Sequence, residues 1–511
     1  MVSDVMPARA PFRRQPLWRK RLILVLAYQA PVLTAIGLAL LVPVAMAAWD
    51  VRGWPGWEEA RNFLIPSIIA LFLGLVIRYR RPAPTTLTQT EALLVTTGVW
   101  LATSVLAALP FVLMLSMPFL DALLESVSGF TTAGTTMILG LDQLPRSILV
   151  WRALIQWLGG MGILLIVLLV GQAQGSHALS LLNAEGVKVS SGRLSFNFKQ
   201  GAYRFTVIYL VLTLAQILLT WALGMPLFDA VTHAMTTVST GGFSPHDESI
   251  AFYRNRPALF PNYVALELVI TLFMLAGGVN FYILYRLGRG HLAALWETLE
   301  MRLLWLVLAG STLLVAFNAW QSLGGTWPDW LLRSVFEIAS LISTTGYETT
   351  ATGSFPRLSR EIFLLLMIVG GGAGSTAGGI KLVRLGLLGK FLSYEIRSLR
   401  LPPRAIHPPI MDGQVIPDRA FRQAVFILLL WLAYLGVGGI AISLLAPDLG
   451  IDEAYSTVFT AIGVFGPSFI PVARVIALPG LAKAIFILGM LAGRLEILPL
   501  LVFFNLAAWR R

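Results

Sequence analysis

Long stretches of this chain carry no charge, and short, strongly basic clusters separate them. Residues Val32–Trp49, Asn62–Ile77, Leu303–Leu323 and Val425–Leu445 contain no Asp, Glu, Lys or Arg. Crossing about 30 Å of hydrocarbon takes roughly 20 helical residues, so segments of this length and polarity read as membrane spans. The pattern predicts ten of them, at about 31–49, 62–79, 92–116, 147–170, 204–223, 263–287, 302–323, 361–391, 423–446 and 480–509. A backbone facing lipid must satisfy its own polar groups, so the fold class expected is an all-α integral membrane protein with ten transmembrane helices.

A second, shorter signal recurs between the spans. Glu125–Thr135, His233–Phe243, Glu337–Tyr347 and Thr457–Pro467 each run from a helical approach into a small-residue loop, and the first three loops are rich in Ser, Thr and Gly. Their glycines, Gly134, Gly242, Gly346 and Gly466, fall 108, 104 and 120 residues apart. Asp121, Asp229 and Glu453 each precede their glycine by 13 residues; the third unit has Arg333 there, with Asp329 as its acidic start. Pro118 and Pro226 lie three residues further back in the first two units. Acidic residues suit a helix N-terminus. A helix of about a dozen residues is too short to cross, so each enters the membrane, stops midway and points its negative dipole end at the centre. The loop after it is tolerable at that depth only beside a water-filled pathway. The order span, short helix, loop, span predicts four repeats in pseudo-fourfold arrangement: 90–200 (pore loop 118–136), 201–300 (226–244), 301–421 (328–347) and 422–511 (452–468). Residues 1–89 form a cytosolic N-terminus and two extra spans.

Composition and charge narrow the class further. The 511 residues are 57% hydrophobic and 13% charged, which excludes an ordinary soluble domain. The net charge of +12 comes from clusters at Arg13, Arg14, Arg19, Lys20 and Arg21, at Arg78, Arg80 and Arg81, at Arg286 and Arg289, within 384–422, and at Arg510 and Arg511. With ten spans these clusters share one side, so the positive-inside rule puts both termini in the cytosol and argues against a nucleic-acid partner. The basic start runs straight into a span, as in a retained anchor rather than a cleaved signal. The chain has no cysteine, hence no disulfide, thiol nucleophile or Cys-based metal site. HExxH is absent, and Gly374–Lys381 lacks the G-K-[ST] ending of a phosphate loop, so neither an enzyme nor a cofactor is expected. Polar connections fall at 172–203, 288–300 and 393–421. The last carries Pro402, Pro403, Pro408, Pro409 and Pro417, and reads either as a rigid docking loop or as a solvated connector.

The loops themselves suit a cation. A cation crossing lipid must exchange its water shell for fixed oxygens, and backbone carbonyls of a Gly/Thr loop supply them without buried formal charge. Two more features stand out near the centre of the predicted spans. Residues 370–379 hold six glycines among ten and should break the 361–391 helix, leaving Lys381 either at the interface or beside the pathway. Arg494 follows ten uncharged residues, and Glu496 at i+2 cannot face it on a helix, so this cation needs a polar cavity. Glu125, His233 and Glu337 each sit nine residues before their glycine and read as braces for the loops or as a source of negative potential. Arg152 and Glu267, in or near spans, read as pairing or capping residues.

These loops, with Gly371–Arg384 and Gly493–Phe504, resemble the TrkH family of potassium-uptake proteins, in a superfamily with KtrB and the plant high-affinity potassium transporters. The resemblance runs from about residue 30 to the end, and the two leading spans are of the TrkH rather than the KtrB type. It implies a potassium filter at Thr132, Ala133 and Gly134, at Thr240, Gly241 and Gly242, at Thr344, Thr345 and Gly346, and at Val464, Phe465 and Gly466. It also implies a gating loop at 370–380 with Gly374, Ser375 and Thr376, Lys381 beside it, and Arg494 as an electrostatic barrier. A homodimer in the bacterial inner membrane and a cytosolic nucleotide-binding TrkA-type regulatory subunit follow from the same resemblance. The fourth loop departs from the family, having Gly463, Val464 and Phe465 where its members are Asn-rich, and so loses side-chain hydrogen bonds behind the backbone. The function expected is potassium uptake through a gated, channel-like pore, driven by about 2.3 kcal/mol per charge per 100 mV. Two other readings stay open: a proton- or sodium-coupled symporter, and the potassium-conducting subunit of an ATP-driven pump.

Overall fold

The structure, a computed structural model, describes residues 16–49, 56–80, 87–174, 198–400, 402 and 408–510, with the backbone alone described at 49, 163–174 and 198–200. Arg13, Arg14, Arg81, Pro403, Arg511 and most of the 172–203 connection lie outside the described residues.

The apolar runs are helices, and the described residues are mostly helical. Among the described residues six helices are long and apolar enough to cross a membrane, or eight if each of two bent pairs is one span. The expected first span at 31–49 begins earlier, as part of an apolar helix running Leu17–Ala48. A charge-free criterion misses this start because Arg19, Lys20 and Arg21 occupy the first turns, where long cationic side chains reach out of the apolar layer. This helix packs closely on Gly56–Arg80, since Gly74 lets the Ala30 carbonyl and Thr34 approach. Both rest on Gln89–Leu115, the helix that leads into the first short helix.

Three of the expected spans are interrupted, two of them (263–287 and 480–509) without warning and the third, 361–391, at the expected glycines. Tyr263–Gly278 and Phe281–Gly288 meet at 113°, and Gly480–Leu495 and Leu498–Phe504 meet at 120°. In the first, Asn280 accepts the Tyr282 N–H at 2.9 Å and starts a new helix in a new direction. In the second, Glu496 and Ile497 take left-handed backbone angles in succession (φ 63° and 62°). The third, at 361–391, stops at Val369 and resumes at Leu382, and the six glycines lie in the gap.

The four short helices are Phe119–Phe130, Leu227–Val238, Trp327–Ile342 and Ile451–Gly463. Their first turns hold Asp121, Asp229, Asp329, and Asp452 with Glu453. Ion pairs at these starts link the four units in sequence. Asp121 binds Lys483 at 2.6 Å, Asp329 binds Arg254 at 2.6 Å, and Asp452 binds Arg360 at 3.0 Å. Between the first and second units, His246 bridges Asp142 and Asp229 at 2.5 and 3.1 Å. The segments near the two ends of the described chain meet: the Arg21 guanidinium donates to the Ala508 carbonyl, and Phe503 lies close to Gly98.

Arg254 carries the heaviest load in this set. Besides Asp329 it holds Glu267, itself 1% exposed, through two hydrogen bonds of 2.8 and 2.6 Å. Removing one partner of such a pair leaves a buried charge. Arg254→Ala should lower stability by about 3–5 kcal/mol, read as thermal unfolding in detergent. Adding Glu267→Gln should recover part of the loss, and no recovery would mean that the pair is not its source.

Candidate functional site

Each short helix ends in the same way. The N–H groups of Ala133, Gly241, Thr345 and Phe465 reach back five residues, to the carbonyls of Ser128, Thr236, Ser340 and Thr460, at 2.8, 2.7, 2.9 and 3.2 Å. The residue just before each, Thr132, Thr240, Thr344 or Val464, is left-handed, with φ of 56°, 54°, 55° and 57°. This is the Schellman ending, normally made by glycine. A β-branched side chain in that region is strained by about 1–3 kcal/mol. Four such residues at one repeat position mark a constrained site. The fourth loop differs in sequence and keeps the backbone.

The loops close on one another. A Cβ on Gly134 would lie 2.4 Å from the Gly241 carbonyl oxygen, and one on Gly242 would lie 2.0 Å from that of Thr345. One on Gly346 would lie 1.9 Å from that of Phe465, and one on Gly466 would lie 2.8 Å from that of Ala133. Each glycine therefore seats the carbonyl of the next loop, and after four steps the ring is complete. All four glycines also have positive φ, between 78° and 102°. The ring brings together the twelve residues expected from the sequence. Thr132, Thr240, Thr344 and Val464 are fully buried, and among the described residues their carbonyls accept no hydrogen bond. Leaving a buried acceptor unmet costs about 1–3 kcal/mol.

Different side chains brace the four loops from behind. Glu125 accepts the Met137 N–H at 2.6 Å and is held by Arg152, which also reaches the Ser244 carbonyl at 2.9 Å. His233 lies 3.3 Å from the Ser244 hydroxyl, and the Tyr347 hydroxyl donates to the His233 carbonyl at 3.1 Å. Glu337 accepts the N–H groups of Thr349 and Thr350 at 2.7 and 3.2 Å. In the fourth loop the Thr460 hydroxyl donates to Pro467 O at 2.5 Å and the Ser456 hydroxyl accepts the Phe469 N–H at 3.1 Å. Side-chain bonds behind this loop are thus supplied by threonine and serine. Sequence reasoning missed Gln156, whose amide donates to Gly241 O at 2.6 Å and accepts the Phe243 N–H at 3.0 Å. Its signal was a lone amide one turn after Arg152 in an otherwise apolar run.

The glycine-rich segment 370–381 hangs beneath the ring. Gly378 N–H donates to the Thr344 hydroxyl at 2.8 Å, and the Thr376 hydroxyl reaches Val238 O at 3.0 Å. Carbonyls freed by the break at Gly277 and Gly278 accept the N–H groups of Thr376 and Gly372, at 3.2 and 2.7 Å. Ser375 closes the local turn by donating to Gly372 O at 2.6 Å, while Gly374 takes a positive φ of 68°. The Lys381 ammonium turns back onto the Ala377 carbonyl. Arg494 is buried, donating to Thr376 O and, at 3.3 Å, to Gly159 O. Its Nε meets no partner and no carboxylate pairs with it among the described residues. Glu496 pairs instead with Arg384, at 2.5 Å.

Residues 59–508 match the family described as "TrkH: Cation transport protein". The chain belongs to the TrkH family of cation transport proteins. It is 30% identical over 463 residues to the Trk system potassium uptake protein TrkH of Salmonella typhimurium, covering 88% of this chain and 92% of that one. Its identity to the protein of the same name from Halomonas elongata is 30% over 493 residues, covering 94% and 97%. Its fold is similar to the crystal structure of the potassium transporter TrkH from Vibrio parahaemolyticus, with a TM-score of 0.83, 26% identity, and coverage of 96% and 100%.

One joint of this TrkH-family chain holds a titratable imidazole, that of His246. Burial opposes charge on His246, but hydrogen bonds to Asp229 and Asp142 outweigh it and raise its pKa above the ordinary 6.5. The clasp's contribution is then complete below about 6.5 and is lost as pH rises through the raised value. Thermal stability in detergent should fall by about 2–4 °C across that rise, and His246→Gln should flatten the dependence. An equal slope in both proteins would remove His246 as its cause.

Proposed function

We propose that this chain carries potassium into the cell through the four-loop ring, as a gated, channel-like pore in the bacterial cytoplasmic membrane. The observation that carries the reading is the closed ring of four identical backbone turns with unbonded, buried carbonyls. A dehydrated cation supplies what those oxygens lack, without the desolvation cost of buried carboxylates. The relatives' names supply the ion. On this reading eight of the ten spans surround the axis as four repeats, the other two stand in front of them, and both termini are cytosolic. Thr132–Gly134, Thr240–Gly242, Thr344–Gly346 and Val464–Gly466 form the filter. Gly374, Ser375, Thr376 and Lys381 belong to a gate closed against the ring. Arg494, held by neutral carbonyls alone, keeps its full charge in the path of the ion. The working assembly is a homodimer regulated by a cytosolic, nucleotide-binding subunit of the TrkA type.

Parallel liposome fluxes of potassium, rubidium, sodium and ammonium test the reading directly, and equal rates for all four would defeat it. Gly242→Ser places a Cβ 2.0 Å from Thr345 O at a positive φ, so the ring must shift. Potassium-over-sodium preference, read as the shift in reversal potential, should then drop by about tenfold, or 1.4 kcal/mol. Arg494→Ala should raise basal potassium flux on the order of tenfold, since about 1.4 kcal/mol off a barrier has that effect. An inert Arg494→Ala variant would assign the arginine to structure alone.

A further inference from the structure

The connection after Ser398 contains a small β-hairpin, Ile410–Met411 paired antiparallel with Gln414–Val415. Asp412 and Gly413 form its turn, both with positive φ (49° and 80°), as a two-residue hairpin with the native twist requires. The turn fixes the register, so Met411 is buried while Ile410 and Val415 stay exposed.

This hairpin is joined to the glycine-rich loop by two consecutive residues of another helix. The Asp412 carboxylate accepts the N–H of Leu299 at 2.9 Å, at the start of helix Leu299–Leu323. The next residue, Glu300, is 5% exposed and accepts the N–H of Ala373 at 2.6 Å. Glu300 in that first turn and the Asp412 carboxylate against it both complement the helix dipole. An apolar contact runs parallel to this polar route: Ala373 shares one buried cluster with Met411, Ile416, Ala420, Phe421, Val383 and Leu387. The opposite side of the loop is tied to the ring through Thr344 and Val238. The loop is therefore suspended between the ring and the hairpin.

We infer that Asp412 and Glu300 are positioning residues for the 370–381 loop, and that the exposed hairpin is the handle through which a force applied at the protein's surface moves that loop. The inference rests on the pore reading proposed above. Neither residue touches the ring, so a change at the handle alters how often the loop clears the path and leaves the choice of ion unchanged. A residue that only held the fold together would lower the unfolding temperature and leave the flux per folded molecule as it was.

The absence of cysteine makes a clean test available in the full-length chain. Ile410→Cys, reconstituted in liposomes and coupled to a bulky maleimide, should change rubidium flux by about threefold or more with the potassium-to-sodium ratio unaltered. The same label on Leu399→Cys, an 86% exposed site outside the cluster, should have no effect. Glu300→Gln keeps an acceptor for the Ala373 N–H and should retain the flux, whereas Glu300→Ala should alter it at an unfolding temperature matched to Glu300→Gln. Flux indifferent to both the Ile410 label and Glu300→Ala overturns the inference while leaving the pore reading intact. No potassium or rubidium flux in the unmodified chain overturns the pore reading, and the inference with it.

Discussion

Four left-handed residues at the ends of four short helices set the conditions for the rest of the molecule. Deep inside an apolar protein, a helix end exposes carbonyls that no water can reach. The Schellman turn meets this demand with backbone alone, returning one N–H to the carbonyl five residues earlier. The cost is a β-branched residue in a region that glycine normally occupies. Packing of the ring keeps that strain in place, since each loop glycine admits the carbonyl of its neighbour. The turn and the ring are mutually dependent, which explains why glycine recurs at the second position after each strained residue. A side chain there would collide with the next loop whatever its chemistry.

The backbone repeats more faithfully than its supports do. Glu125 needs Arg152, His233 leans on Ser244 and Tyr347, and Glu337 is held by backbone N–H groups and a threonine hydroxyl. The fourth unit uses only hydroxyls, and fills the remaining space with Phe465, which is fully buried. Charge is thus confined to the supports of individual loops, while the face toward the axis is built from the same neutral groups four times. Such a division lets the units diverge in sequence without altering the backbone of the ring.

Much of this organisation was legible in the chain. The charge-free runs, the recurrent glycines and the glycine-rich break each follow from local composition, and the structure contains all three. Less legible were the bends at Asn280 and at Glu496, because a single cap or a pair of left-handed residues leaves almost no trace in an apolar pattern. The early start of the first helix was hidden by Arg19–Arg21, whose charges lie at its edge. Partner choice was also beyond reach. Glu496 is two residues from Arg494, yet it pairs with Arg384, 112 positions away, since the chain reverses direction immediately after Leu495.

The three broken spans have a common location. The break at Gly277 and Gly278 presents carbonyls to the 370–381 loop, and Thr376 in that loop presents its carbonyl to Arg494, in the last turn of helix Gly480–Leu495. Each interruption supplies hydrogen bonds that another needs, so none is stable alone at that depth. A continuous helix would satisfy its own backbone and leave nothing to exchange. The broken ones form a layer whose bonds can be traded, and movement of the 370–381 loop must replace at least the bonds made by Gly372, Thr376 and Gly378. Arg494 takes part in that exchange with a charge that no carboxylate among the described residues neutralises; on the pore reading proposed above, a cation arriving from the ring would compete for the same carbonyls. On that reading, loop position and ion occupancy are linked through those shared oxygens.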